Sequence, residues 1–287
     1  MPECNVRLLL GEARLGGIER RDALAIVGHA LGRTPTWLIS HDDAVVNEIG
    51  TATVRELLNR RMLGEPLAYL LESQAFNGLM LRVTPDVLIP RPDTETLVDW
   101  AVSLLDGPLA HLPAPSVIDL GTGSGAIALA VKHRCPRACV TAFDMSTPAL
   151  DVAKANAAEL GLTVSFEQSN WWAAAGQRRF DLALSNPPYI AEGDSHLAAL
   201  RHEPIEALVS GADGMTDLRK VAMAAAAHLY DGGWLLLEHG YDQGPRVRDL
   251  LSAAGCVDVE TRRDPDGNER CTGGRTSLRE KLTVDPL

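Results

Sequence analysis

The sequence predicts an α/β protein in which a mostly parallel sheet flanked by helices follows a small helical domain. Three patterns lead there. Residues 1–72 show helical periodicity without convincing strands, and residues 73–86 hold a hairpin signal. From Val87 onward, short apolar runs alternate with helical stretches, the order that parallel strands joined by crossover helices require. The expected domains are therefore 1–72 (helical), 73–86 (a β-hairpin linker) and 87–287 (the sheet domain).

Helices are expected over 6–15 and 19–31, then a longer one with Val45, Ile49, Thr53 and Leu57 along one face. Ala75-Phe76, Asn77-Gly78 and residues 79–83 read as a hairpin, because Asn-Gly tolerates the backbone of a tight two-residue turn. Strands are expected at 116–120, 138–143, 163–168, 180–185, 233–238 and 256–261, with a possible last one around 270–272. Helical stretches fall at 96–105, 126–132 and 146–156.

With 46% hydrophobic and 23% charged residues in 287, the chain has globular composition and can bury a proper core. Its net charge of -11 disfavours a partner that is mainly phosphate backbone, since such affinity comes from clustered Lys and Arg. An acidic surface suits a basic protein loop better. The five cysteines (Cys4, Cys135, Cys139, Cys256 and Cys271) are odd in number and contain no C-x-x-C pair, so neither a disulfide framework nor a metal site is indicated. A cytoplasmic location is expected from this cysteine usage, from a start without a leader pattern and from the lack of any long apolar run for a membrane.

Chemistry concentrates at three strand ends. Asn186-Pro187-Pro188-Tyr189 follows the apolar run 180–185. Two prolines stiffen such a corner and present carbonyl acceptors, and a residue before proline is pushed from helical angles, which aims the Asn186 side chain off the strand tip. That combination suits a planar NH2 group, although a Pro-Pro pair also serves simply to end a strand. Gly121-Thr122-Gly123-Ser124-Gly125 joins a strand to a helix, where glycines allow close approach of a nucleotide and the helix start offers free N–H groups. The spacing is not that of a dinucleotide site. Asp144 ends the next strand, placed to accept hydrogen bonds from both ribose hydroxyls.

Asp119-Leu120-Gly121-Thr122-Gly123-Ser124-Gly125 with Asp144 resembles the S-adenosylmethionine site of class I methyltransferases, and Asn186 to Tyr189 resembles their amino-methylating branch. Within that branch, 88–95, His202-Glu203-Pro204, 235–240 and Asn268-Glu269-Arg270 are similar to the protein-(glutamine-N5) methyltransferases of peptide chain release factors, over residues 64–274 or so. The resemblance implies a Rossmann-like sheet of seven strands with the last antiparallel. It implies S-adenosylmethionine as donor, S-adenosylhomocysteine as product, and the glutamine of a Gly-Gly-Gln loop in class 1 release factors as substrate. Adenine-N6 methylation of nucleic acid is the alternative.

The same resemblance assigns residues. Gly121, Thr122, Gly123, Ser124, Gly125, Asp144, Trp171 and Asn186 would hold the donor, and Asn186, Pro187, Pro188 and Tyr189 would hold the substrate. Of these, Asn186, Pro187 and Tyr189 would carry catalysis, Tyr189 by stacking on the amide. Family members commonly have Asp where Asn170 stands, and Trp171 reads equally as a core residue. The segment 91–95 either closes over the donor or simply starts a helix. Glu203 either orients the substrate loop or precedes a turn, and Glu238 and His239 are expected at a solvated strand edge.

Overall fold

In the computed structural model, which describes residues 4–277, the chain opens with helices stopped and started by local capping. Helix α1 (Val6–Leu15) begins at Asn5, whose side chain accepts from the Leu8 N–H, and α2 (Arg20–Leu31) ends at Gly32 in the left-handed conformation. Thr34 caps α3 (Pro35–Ser40) and Asn47 caps α4 (Glu48–Met62), while α5 (Leu67–Leu70) is a single turn. Each side-chain cap satisfies an N–H that the first turn leaves unpaired, worth about 1 kcal/mol. Val6, Leu9, Ile26, Val27, Leu38 and Val54 form the centre of this unit, all buried completely.

Two features here differ from expectation. Helix α4 turns Thr51, Val54, Leu57 and Leu58 inward, whereas Val45 is 63% and Ile49 80% exposed. The cap at Asn47 separates Val45 from the helix, so a period counted from Val45 does not carry through. Helices α3 and α5 have six and four residues, too few to display a 3.6-residue period.

Strands β1 (Ser73–Phe76) and β2 (Leu79–Arg82) form their own two-stranded sheet around Asn77 and Gly78, whose φ angles of 46° and 79° are those of a type I′ turn. The chain divides into two compact units between Gln74 and Ala75, inside β1.

The second unit runs α6 (Glu95–Asp106), β3 (Ser116–Leu120), α7 (Ala126–Arg134), β4 (Cys139–Asp144), α8 (Thr147–Leu160), β5 (Ser165–Gln168) and β6 (Phe180–Ser185). It continues with α9 (Thr216–His228), β7 (Leu229–Glu238), α10 (Gly244–Ala253), β8 (Cys256–Arg263) and β9 (Glu269–Thr276). The seven strands lie in the order β5-β4-β3-β6-β7-β9-β8, with β9 antiparallel to both its neighbours. This is the mostly parallel sheet the sequence predicts. Alternate residues feed two cores: Val117, Leu182, Leu184 and Leu236 pack toward Trp100 of α6 and Leu129 of α7, and Ile118, Leu120, Ala183, Leu235 and Leu237 pack toward Leu218 of α9 and Val247 of α10. Each of the Val, Leu and Ile side chains contributes about 1.5–3 kcal/mol by leaving water.

Strand β7 starts at Leu229, earlier than expected, because Asp231-Gly232-Gly233 is absorbed as an irregularity between the Phe180–Leu229 and Leu182–Trp234 pairs instead of making a turn. Strand β9 is likewise longer than 270–272, since Gly273 and Gly274 sit where a Cβ would strike Leu236 and Cys256. The chain reverses its winding between β3 and β6, and ligands bind at that kind of switch point, outside the carboxyl ends of the strands.

Candidate active site

A cavity of about 270 Å³ opens at those strand ends. Gly121, Gly123, Asp144, Trp171, Asn186 and Pro188, all singled out in the sequence, line it together. Their convergence comes from four different strand ends, so no local sequence window contains the site.

Within the glycine loop, the residues divide into cradle and support. Gly121 and Gly123 have φ of 76° and 55° and face the cavity. A Cβ on Gly121 would lie 3.1 Å from the Trp171 ring, while one on Gly123 would meet nothing within 4 Å. Gly125 instead lets α7 pack on α8, where a Cβ would press Leu129 and Ala153. Thr122 and Ser124 are buried: the Thr122 hydroxyl donates to Asp119 at 2.6 Å and the Ser124 carbonyl accepts from Asn156 at 2.9 Å. Asp119 also accepts from the Ala128 N–H, and burial raises its carboxyl to about 7.

Asp144 accepts from the Gly123 N–H at 2.8 Å and the Ser146 N–H at 2.9 Å, one to each oxygen. Burial raises its carboxyl and these amides pull it back. Each oxygen keeps a second lone pair, the acceptors that a ribose diol would need.

Trp171 and Trp172 separate the wall of the cavity from the core. Trp171, at φ 50°, lines the cavity and donates from its indole to Asp217 at 3.2 Å, and Asp217 is held by Ser210 and Lys220, each at 2.8 Å. Trp172 is buried, donates to the Val221 carbonyl and stacks on His228 at 4.9 Å. Asn170 lies on the cavity lining and is exposed.

The proline corner is braced on every side. Ser185 donates to the Leu120 carbonyl at 2.6 Å, tying β6 to β3 where the turn departs. The Asn186 side-chain nitrogen donates to the Thr94 hydroxyl at 3.2 Å. Pro187 is buried, Pro188 faces the cavity, and the Tyr189 hydroxyl lies 3.5 Å from Glu238. Burial and the Glu238 carboxylate raise the Tyr189 phenol, so it stays protonated. The Tyr189 carbonyl accepts from Gln243 at 3.0 Å, and Gly214, φ 69°, leaves room for that carbonyl. Gln243 was not anticipated, because nothing local marks a glutamine 54 residues downstream as a brace.

Glu203 is buried and accepts from the Ile89 N–H at 3.1 Å and from Arg91, which pins the segment 86–91 beside Pro204 and Ala207. Val87, Leu88, Pro204 and Ala207 all line the cavity, so Glu203 acts on its wall from behind. Glu238 and His239, expected at a solvated edge, are 1% and 0% exposed. Strand β9 covers them, pairing Glu238 with Cys271, and His239 hydrogen-bonds Thr272 at 2.7 Å. Burial raises Glu238 to about 7 and lowers His239. Among the described residues the cavity lining includes Asp86, Asp144 and Glu206 and no Lys or Arg, an environment for a cationic ligand.

The chain is similar to known proteins along most of its length. The family model described as the PrmC N-terminal domain matches residues 6–71, and that of the methyltransferase small domain matches 94–213. A release factor glutamine methyltransferase of Bordetella pertussis is 48% identical over 261 residues, covering 90% of this chain and 95% of the relative. One from Vibrio cholerae is 41% identical, covering 88% of each chain. The chain belongs to the release factor glutamine methyltransferase family. Among solved structures, a methyltransferase from Pyrococcus furiosus aligns with a TM-score of 0.51 at 18% identity, over 77% of this chain and 98% of its own. A 16S rRNA methyltransferase from T. thermophilus, solved with AdoMet and guanosine, aligns at 0.53 and 19% identity, over 71% of this chain and 49% of its own. These two share the fold. In this chain the small-domain match contains the glycine loop, Asp144, Trp171, the proline corner and Glu203, while Glu238 and Gln243 lie beyond it.

Proposed function

We propose that the chain transfers a methyl group from S-adenosylmethionine to the side-chain nitrogen, N5, of the glutamine in the Gly-Gly-Gln motif of class 1 release factors. One observation carries the residue assignment: Asn186 and Pro188 line the same cavity as Gly121, Gly123 and Asp144. An amide grip and a nucleoside cradle therefore share one space.

The donor, when bound, supplies an electrophilic methyl group on a cationic sulfonium. Gly121 and Gly123 offer open backbone, Asp144 the acceptors for a ribose, and Trp171 a flat wall for a base; the three carboxylates of the lining favour the positive charge. Asn186 Oδ1 and the Pro187 carbonyl accept the two hydrogens of the substrate NH2. With both hydrogens held, the nitrogen lone pair leaves conjugation with its carbonyl and is aimed into the cavity. This is orientation with preorganised dipoles, and no general base is required because an N-alkylated amide cation loses its proton to water. Tyr189, braced on Glu238 and Gln243, keeps the corner rigid and closes the amide's flat face.

The helical amino-terminal unit is assigned as the docking domain for the release factor, and the reaction is assigned to the cytoplasm, where free thiols such as those of Cys135 and Cys271 persist. Methylation of adenine in nucleic acid has less support, given a net charge of -11 and a cavity lined, among the described residues, by three carboxylates and no cation. Incubation of the full chain with a release factor, a DNA duplex and labelled donor decides between them: label in the release factor supports the proposal, and label in DNA alone overturns it.

A further inference from the structure

Beneath the proline corner Thr94 stands between Asn186 and the buried Glu238, and the placement of its proton decides which end of Asn186 meets the cavity. The amide has a donor end and an acceptor end, and its nitrogen is 3.2 Å from the Thr94 hydroxyl. A threonine oxygen accepts while its own proton goes elsewhere, and it donates when that proton is free, so distance alone does not choose. The neighbour on the far side does. Thr94 faces Glu238, a carboxylate 1% exposed that also meets the Tyr189 hydroxyl at 3.5 Å and keeps Oε2 buried without a hydrogen-bond partner. An ionised carboxylate can only accept. It draws the Thr94 proton, Thr94 presents a lone pair to the Asn186 nitrogen, and Oδ1 is left as the free end.

We infer that Thr94 and Glu238 are positioning residues that hold the Asn186 amide with its oxygen toward the substrate, the ionised Glu238 drawing the Thr94 proton away from Asn186. This deepens the proposed reaction and rests on it, because a glutamine NH2 needs an acceptor where a reversed Asn186 would offer a donor. Uptake of a proton by Glu238 reverses the logic: Glu238 donates to Thr94, the Thr94 proton is released to Asn186, and the amide is free to turn over. The surroundings put this change near neutral pH, since burial raises Glu238 to about 7. Asp93 pushes the same way, whereas Thr94, Arg270 and Tyr189 oppose it. Cys271, held neutral by its own burial, adds no charge. Arg270 is itself shared between Asp93 and Asp264, each at 3.1 Å.

The test compares Thr94→Val, Thr94→Ser and Glu238→Gln in the full chain, with donor affinity by calorimetry, kcat at saturating release factor, and the pH profile of kcat. Thr94→Val, which keeps shape and removes the hydroxyl, is expected to lower kcat at least tenfold while donor Kd stays within twofold. Thr94→Ser should retain kcat within threefold. Wild-type kcat should rise with pH through about 7, and Glu238→Gln, whose amide can donate to Thr94, should be slow and flat. Adding Thr94→Val to Asn186→Ala should cost nothing further, because the two act as one unit. Equal loss in the Val and Ser variants, parallel loss of donor affinity, or additive loss in the double variant overturns the inference. If Thr94→Val unfolds, the wild-type pH profile and the Glu238→Gln rate decide it. A wild-type enzyme inactive on release factors would instead remove the functional reading itself.

Discussion

The Glu203 carboxylate accepts a hydrogen bond from the backbone N–H of Ile89, 114 residues earlier in the chain, at 3.1 Å, and holds Arg91 with its other oxygen. A buried acid thus fastens the 86–91 segment over the cavity. Glu203→Ala leaves that N–H and the guanidinium without their partner, and one hydrogen bond to a charged group is worth about 1.5–3 kcal/mol. Donor affinity measured by calorimetry is expected to fall roughly tenfold, with a lowered melting temperature. Unchanged affinity would mean that the segment holds its place without Glu203.

The two ends of the cavity should separate kinetically. Asn186→Ala is expected to slow transfer by on the order of a hundredfold or more, the effect of deleting one oriented group that stabilises a transition state, with donor binding nearly intact. Asp144→Ala should chiefly weaken the donor complex, since both its oxygens also order Gly123 and Ser146. Binding isotherms and single-turnover rates on both variants check this, and the reverse pattern would exchange the assigned roles.

Two glycines with similar backbone should respond differently to alanine. Gly214 has φ 69° and a Cβ there would collide with the Tyr189 carbonyl oxygen, so Gly214→Ala must displace the proline corner. Gly123 has φ 55° with open space around it. Both pay the left-handed strain of roughly 1–3 kcal/mol, but only Gly214→Ala should also lose kcat at saturating donor. Gly123→Ala is expected to raise the donor Kd alone. Equal kcat in the two would show that the corner does not depend on Gly214.

Asp119 makes stability depend on pH in a definite direction. Its folded-state carboxyl titrates at about 7 against an ordinary 3.8, because burial outweighs the Thr122 and Ala128 hydrogen bonds and Asp144 adds repulsion. Between those values the folded chain holds a proton that the unfolded chain has released, so stability falls as pH rises from about 4 to about 7. Glu238, also raised to about 7, acts in the same sense. Denaturant unfolding at a series of pH values should show a shallower decline for Asp119→Asn than for wild type. Identical slopes would place the titration elsewhere.

Much of this was legible in the sequence because the informative residues are locally patterned. Apolar runs at 116–120 and 180–185 gave their strands to the residue, and Asn77-Gly78 marked a turn by backbone chemistry alone. The cavity residues Gly121, Asp144, Trp171 and Asn186 were visible for the same reason, each standing at the end of such a run. What escaped depends on contacts between distant segments. Thr94 under Asn186, Gln243 under Tyr189 and Glu203 under Ile89 are separated by 92, 54 and 114 residues. Glu238 was misjudged as an edge residue because its burial comes from β9, whose length the glycines at 273 and 274 concealed. Thr122, Ser124 and Gly125 shared a motif with the cradle, yet their side chains or packing face inward, which spacing alone does not reveal.

The central claim concerns one atom, the side-chain nitrogen of a glutamine gripped at Asn186. Tandem mass spectrometry of a release factor after incubation with the enzyme and S-adenosylmethionine reads that atom directly. A single methyl group on the Gln of the Gly-Gly-Gln peptide, present with wild type and nearly absent with Asn186→Ala, is the expected result. A methyl group on any other residue, or an unmodified peptide under conditions where the donor is consumed, would contradict it.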